Sequence, residues 1–131
     1  GGSQTRQLYK GILGSDAQAV FNGRVVIQKN AQKASSEQLN QNLLLSDRSE
    51  IDSKPELEIF ADDVKATHGS AIGQLNDDEV FYLRSRGIPR AQAQEMIALG
   101  SVVGLVDELD GDELKQSLTR ALGVAYRRIH E

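Results

Sequence analysis

His68 is the strongest candidate for chemistry in this sequence, because a neutral imidazole can bind a transition metal. Side chains alternate between the two faces of a regular strand, so Val64, Ala66 and His68 point one way, and Lys65 and Thr67 point the other. A single histidine cannot hold a metal ion alone. These residues by themselves favour a histidine that packs or forms a hydrogen bond, and a metal role needs ligands from elsewhere.

Two pairs of carboxylates invite an acid/base interpretation. Asp62 and Asp63 are adjacent, so in a strand they face opposite sides and cannot flank one glycosidic bond. We expect them in a turn or a solvated position. Glu56 and Glu58 share a face, but Pro55 beside them is typical of a solvent-facing edge strand. A β-solenoid enzyme that cleaves carbohydrate is therefore disfavoured.

A short basic segment, Arg84 to Gly87, is predicted at the C-terminal end of a helix. Phosphate binding favours the opposite end of a helix, where backbone N–H groups are free. We therefore expect these arginines to pair with carboxylates or carbonyl groups. The sequence contains no Walker motif, dinucleotide-binding glycine pattern or nucleophile elbow. With no catalytic constellation, we expect that the protein is not an enzyme.

The composition is that of an ordinary folded domain. The chain has 131 residues, of which 39% are hydrophobic and 26% charged, and a formal net charge of −4. This charge gives no reason to expect nucleic acid or an anionic membrane as a partner. The lack of cysteine excludes disulfides and thiolate ligands within this chain and fits a reducing compartment. With no signal peptide and no apolar run of membrane-spanning length, we expect a cytoplasmic protein.

Residues 1–75 are predicted to form short β-strands separated by frequent turns. Asn22-Gly23 favours a tight turn with positive φ, although a corner or a bulge fits equally well. The pattern suits a sandwich, a barrel or a β-solenoid, and no fixed sequence repeat selects among them. The predicted strand segments are Leu8 to Leu13, Ala19 to Phe21, Arg24 to Gln28, Leu43 to Leu45, Leu57 to Ala61 and Val64 to His68.

Residues 76–131 are predicted to form three helices. The first begins at Asn76, which can form a capping box with Glu79, and ends at Gly87. The third follows a second cap pair, Asp110 and Glu113, and carries basic side chains in its last turns, where they are favoured. Its apolar face contains Leu114, Leu118, Ala121, Leu122, Ala125 and Ile129, and its basic residues are Arg127, Arg128 and His130.

The second helix is predicted from about Pro89 to Leu109, with an apolar face broad enough to contact more than one neighbour. Gly100 and Gly104 lie on one side of it, and each costs about 1 kcal/mol against alanine in a helix. We expect a close helix approach to compensate. Strands followed by helices do not match the alternation of a parallel α/β protein.

Five blocks of the sequence stand out when they are taken together. They are Leu8 to Leu13 (LYKGIL), Phe21 to Gly23 (FNG), Asn42 to Ser46 (NLLLS), Glu50 to Gly73 (EIDSKPELEIFADDVKATHGSAIG) and Phe81 to Ile88 (FYLRSRGI). These blocks resemble the SufB/SufD family of iron–sulfur cluster assembly proteins, cover nearly the whole chain and occur in the same order as in the family. Gly69 and Arg84 favour the SufD branch, because the sister branch typically has glutamate and methionine there.

The resemblance implies the C-terminal portion of a SufD-like scaffold subunit that has no catalytic role. Its fold would be mainly β with α: a portion of a right-handed β-helix at residues 1–75, followed by a small three-helix domain at residues 76–131. The β-helix would pair with a SufB-like subunit, and the helices would bind a SufC-like ABC ATPase. An isolated fragment with an open strand edge is also expected to pair with itself as a homodimer.

The resemblance also gives His68 a specific role. The matching histidine in the family lies at the junction of two β-helices and is a proposed ligand of the nascent cluster. Many family members have cysteine where this chain has Ala66, so further ligands would have to come from the partner subunit. We expect no stably bound cofactor in this fragment and a transient iron–sulfur cluster in the full complex. The alternative is that His68 only packs at the interface.

Overall fold

The structure, a computed structural model, describes residues 1–129, and over this range five β-strands precede three α-helices. The predicted mixture of strands and helices, with the strands first, is confirmed. The division into two domains at residue 75 stays a prediction. The elements are β1 (Gln4–Leu13), β2 (Gln18–Ile27), β3 (Ser35–Leu44), β4 (Glu50–Ile59), β5 (Lys65–Gln74), α1 (Asp77–Ser85), α2 (Arg90–Asp107) and α3 (Asp112–Ile129).

Successive strands alternate between two parallel sheets. One sheet has the order β1-β3-β5 and the other pairs β2 with β4. Gln4 pairs with Ser35, and Ser35 pairs with Lys65, so the chain returns to the same sheet after about 30 residues. The chain repeats this path from one turn to the next, but the residue types at equivalent positions differ. No repeat is therefore visible in the sequence.

The space between the two sheets is apolar at one end and polar along β3. Ile27, Ala34 and Ala61 form a buried apolar cluster. Along β3, alternate residues are buried and polar: Ser36, Gln38, Asn40 and Asn42. The predicted strand segment Leu43 to Leu45 is therefore too short, because the apolar residues mark only the end of β3, and its earlier inward-facing residues are amides and a hydroxyl.

The predicted turn at Asn22-Gly23 is wrong. Both residues lie within the uninterrupted strand β2, in register with Lys54 and Pro55 of β4. Gly23 is buried and faces Gln38 across the interior, where a Cβ atom would come within 2.6 Å of the Gln38 Oε1 atom. Glycine here permits a close approach of the sheets rather than a change of direction.

The first helix matches its predicted bounds closely. The Asn76 side chain accepts a hydrogen bond from the Asp78 N–H at 2.9 Å and so caps the N-terminus of α1. Gly87 has φ +87°, and the Ile88 N–H donates to the Leu83 carbonyl at 3.2 Å. This pairing, together with the positive φ, is a Schellman motif that ends the helix where the glycine predicted it.

The second helix lies beside β1, and two polar contacts join them. The Lys10 Nζ atom donates to the Ser101 carbonyl at 2.7 Å, and Arg6 Nη1 lies 3.2 Å from Glu108 Oε2. The predicted close approach at Gly100 and Gly104 is wrong, because among residues 1–129, apart from the adjacent residues and the nearby backbone of α2, no atom lies within 4 Å of a Cβ built at either glycine. The buried residues of α2 are Ala93, Ala98, Val102 and Val106.

The third helix begins at Asp112, so Gly111 and not Asp110 precedes its first residue. The predicted apolar face is core only in part, because Leu114 and Leu118 are exposed while Gly123 and Tyr126 are buried. His130, predicted in the last turn and solvated, lies outside the described residues. Among the helices of residues 1–129, none combines the length and apolar composition that a bilayer span requires.

Candidate functional site

The outer edge of β5 presents backbone groups that bond to no strand of the described chain. The Lys65 N–H donates to Ala34 at 2.9 Å and the Leu75 N–H to Leu44 at 3.2 Å, both towards β3. Because the backbone of a strand bonds alternately to its two sides in a parallel sheet, the groups of His68, Ser70 and Ile72 point away from β3. β5 therefore offers a row of donors and acceptors that another strand can pair with.

The edge of β4, in the other sheet, is interrupted. Here the Glu50 N–H donates to Ala17 and the Phe60 N–H to Ile27, each at 2.9 Å. The odd-numbered residues of β4 consequently direct their backbone outwards, and Pro55 at the centre of the strand has no N–H to offer. The uninterrupted edge of β5 is the better template for an additional strand.

His68 lies at the centre of this open edge, and its side chain is exposed. It is the register partner of Gln38 on β3, and Ala66 and Ser36 form the row beside them. Because the buried residues of β3 face the interior, the alternation of side chains places His68 on the inward face of β5. Ala66 and His68 therefore lie on the same face of β5, as predicted.

Within residues 1–129 no three side chains of histidine, cysteine, aspartate or glutamate come together as a metal-binding group. Asp62 and Asp63 lie in an exposed bend, as expected of a turn. Glu58 is on the outward face of β4, where its Oε1 atom lies 2.6 Å from Arg24 Nη2. This hydrogen bond and the charge of Glu58 raise the pKa of Arg24 above its usual value. Glu58 is therefore paired with a cation, and Asp62 and Asp63 occupy the expected turn.

The sequence interpretation overlooked Gln38. Its side chain is 2% exposed, and its Nε2 atom donates to Gln7 Oε1 at 2.9 Å. Its Oε1 atom is buried with no hydrogen-bond donor among the described residues. The one available signal was the alternation of small and amide side chains along β3. This alternation indicates a strand only if polar side chains are allowed to face the interior.

The predicted basic segment is not an anion site. It lies at the C-terminal end of α1, where helix carbonyls oppose an anion. The Arg86 guanidinium lies 5.0 Å from the centre of the Tyr82 ring, a cation–π contact. For Arg86, the structure shows this aromatic contact in place of the predicted pairing with a carboxylate or carbonyl group.

A second surface feature lies between α2, α3 and β1. It is an apolar groove of about 360 Å³, which we call the helix groove. Leu109 and Leu118 on its rim are each 37% exposed. Burying such apolar surface is favourable, and grooves of this kind commonly receive a partner. The lining residues are Lys10, Val102, Leu105, Val106, Leu109, Leu118 and Leu122.

Comparisons with known proteins agree on one family. The family described as "SUF system FeS cluster assembly, SufBD core domain" matches residues 1–101. The iron–sulfur cluster assembly protein SufD of Escherichia coli is 42% identical over 119 residues, which cover 91% of this chain and 28% of that protein. A SufBD family protein of Synechocystis is 46% identical over 112 residues, covering 86% of this chain and 23% of that protein.

A more distant relative extends the same likeness. The SufD protein of Bacillus subtilis is 34% identical over 115 residues, which cover 88% of this chain and 26% of that protein. The chain thus spans about a quarter of the length of these relatives. The matched residues include the whole of both sheets, the open edge of β5 and His68, and on this evidence the chain belongs to the SufBD core domain family of the SUF iron–sulfur cluster assembly system.

Proposed function

We propose that this chain is part of a SufD-like scaffold subunit for iron–sulfur cluster assembly. In this proposal the open edge of β5 pairs with a SufB-like subunit, and the C-terminal helices hold a SufC-like ATPase. The subunit performs no catalysis of its own. Membership of the family supports a role in cluster assembly, and the cytoplasmic location stays a prediction.

The proposed architecture of the strands is a right-handed β-helix. Each strand pairs in parallel with the strand two places earlier, across a connection that visits the other sheet. Crossovers between parallel strands of one sheet are right-handed in about 98% of cases. A coil of this kind ends in open strands unless something covers its last turn, which supports a role in pairing with a similar coil.

The observation that carries the proposal is the open edge of β5. It runs the ten residues of the strand, and its inward side chain Ile72 is 52% exposed. An additional strand would satisfy the outward backbone groups of His68, Ser70 and Ile72 while covering that isoleucine. Both gains come from one contact, which favours the edge of β5 over that of β4 as the docking surface for a SufB-like partner.

The helix groove supports the second contact. A protein that docks there would cover the exposed rim leucines Leu109 and Leu118. The groove is also lined by Lys10, on the outward face of β1, whereas His68 is on the inward face of β5. The acidic residues Asp110, Asp112 and Glu113 follow the groove at the start of α3. We therefore assign a SufC-like ATPase to the groove and a SufB-like subunit to the strand edge.

The test replaces an outward backbone donor. Ser70→Pro removes the N–H that points away from β3 and leaves the odd-numbered ladder to β3 in place. Ser70→Ala is the matched control, because it keeps that N–H. In size-exclusion chromatography with a SufB-like subunit and a SufC-like ATPase, we expect Ser70→Pro to lose the first partner and keep the second. Equal retention of the SufB-like subunit by both variants would reject the strand-edge model.

A second candidate function is direct participation of His68 in holding a nascent cluster. Its exposure on the open edge favours this role, because a partner that pairs with β5 would meet the imidazole. Within residues 1–129 no group of three potential metal ligands forms, so the remaining ligands of a cluster would come from the SufB-like subunit. His68→Ala in the full complex tests the idea: cluster assembly at the unsubstituted rate would leave the scaffold role and remove the ligand role.

Homodimer formation by the isolated chain stays a prediction of the same edge. Sedimentation of the chain at increasing concentration would detect it. If β5 pairs with itself, Ser70→Pro sediments as a monomer at concentrations where Ser70→Ala associates. Association of both variants to the same extent would place self-contact elsewhere.

A further inference from the structure

The Gln38 side chain is held in place from two sides. Its Nε2 atom donates to Gln7 Oε1 at 2.9 Å on the neighbouring strand β1. From the opposite sheet, the backbone of Gly23 approaches so closely that an added Cβ would lie 2.8 Å from both Cδ and Nε2 of the amide. The amide is therefore fixed in position and orientation without any contribution from β5.

The Gln38 Oε1 atom is nevertheless buried without a donor. A buried acceptor that gains a hydrogen bond is strongly favoured over one that does not. Three neighbouring side chains on the inward face carry a donor. Ser36, whose own Oγ atom is also buried without a partner in the described chain, and Asn40 lie two positions away on β3. His68 is the direct register partner of Gln38 on β5.

His68 is the better donor by geometry. Register partners on adjacent strands of a sheet lie about 4.8 Å apart, whereas residues two positions apart along a strand are separated by about 6.6 Å. A neutral imidazole always carries one N–H, and it keeps its second nitrogen as an acceptor or a ligand. Donation of that N–H to Gln38 would leave the second nitrogen facing away from the interior.

We infer that Gln38 is a positioning residue for His68: its Oε1 atom accepts the ring N–H and turns the other ring nitrogen towards the open edge. An imidazole that binds a metal is commonly oriented by a hydrogen bond from its other nitrogen. The inference deepens the proposed role of the β5 edge and rests on that role for its functional meaning. In the described part of the structure the Gln38 Oε1 atom has no donor, so the bond requires the exposed His68 side chain to turn towards it, and it requires no partner subunit.

The test uses nuclear magnetic resonance of the ¹⁵N,¹³C-labelled chain. His68 and His130 are its two histidines, so His130→Gln assigns the ring signals. We expect a protected ring N–H proton for His68, lost in Gln38→Met, which keeps the length of the side chain without an acceptor. Gln41→Met, on the same strand but the opposite face, is the matched control and should retain the signal.

A scalar coupling between the His68 ring nitrogen and the side-chain carbonyl carbon of Gln38 identifies the acceptor in the unsubstituted chain. This measurement decides the question even if Gln38→Met does not fold. Absence of that coupling, or retention of the protected proton in a folded Gln38→Met chain, would overturn the inference. Because no partner is present, either outcome is independent of the binding result for Ser70→Pro.

Discussion

Gly23 on β2 lies directly against the Gln38 amide on β3, and a Cβ at position 23 would stand 2.6 Å from Gln38 Oε1. The two residues belong to different sheets, so their contact sets the distance between the sheets at the middle of the strands. A long, buried amide requires a neighbour without a side chain. This pairing explains why a dipeptide typical of turns occurs within a straight strand.

Gly23→Ala is expected to destabilise the chain by about 1–3 kcal/mol, because the added methyl group overpacks the interior. The Gln38 amide cannot easily retreat, since its Nε2 atom is bonded to Gln7. Urea unfolding followed by circular dichroism measures the change as a lower midpoint at an unchanged slope. A midpoint equal to that of the unsubstituted chain would show that the sheets separate at little cost.

Gly100→Ala should have the opposite effect. Position 100 is within α2, and among residues 1–129, apart from the adjacent residues and the nearby backbone of α2, no atom lies within 4 Å of the Cβ that would be added. Alanine is favoured over glycine in a helix by about 1 kcal/mol, so the urea midpoint should rise. A lower midpoint would show that the helix meets something at this position in solution. The same substitution provides the matched control for Gly23→Ala.

Because of the buried phenol of Tyr126, we expect the folded chain to lose stability at high pH. Burial, and secondarily the charge of Glu95, raises the pKa of this phenol above its usual value of about 10. The folded chain then holds its proton where the unfolded chain has lost it, so stability is full below pH about 10 and falls as the pH rises towards the folded pKa. Between neutral and alkaline pH, the urea midpoint of Tyr126→Phe should fall less than that of the unsubstituted chain.

Tyr82→Phe is the control for this prediction, since Tyr82 is an exposed phenol on α1. The alkaline fall of its urea midpoint should match that of the unsubstituted chain. If the urea midpoint of Tyr126→Phe falls as steeply with pH as that of the unsubstituted chain, other groups cause the pH dependence.

If a SufC-like ATPase docks in the helix groove as proposed, Leu118→Glu should weaken its binding by roughly tenfold or more, because a charge would be buried at the rim of the groove. Val124→Glu is the matched control: it is exposed on the same helix, but the helical repeat turns it to a different face. Isothermal titration calorimetry measures both. Equal affinities of the two variants would place the ATPase away from the groove.

The helices were predictable because their ends are decided locally. Asn76 and Gly87 mark the two ends of α1 through bonds to residues within the same few positions. Exposure along α3 was not predictable in the same way. An apolar stripe shows that a face can be buried, while Leu114 and Leu118 are exposed because the neighbouring elements cover other parts of the helix.

The sequence by itself determined the order of strands before helices, the ends of α1 and, through the resemblance of its blocks, the family. Those features depend on hydrogen bonds between residues that are close in the sequence, or on the order of residue types along the chain. The tertiary structure decided that β3 is a strand with polar residues facing inwards, that Gly23 is a close contact, and that His68 lies beside Gln38. These depend on residues about 15 to 30 positions apart, which only the path of the chain between two sheets brings together.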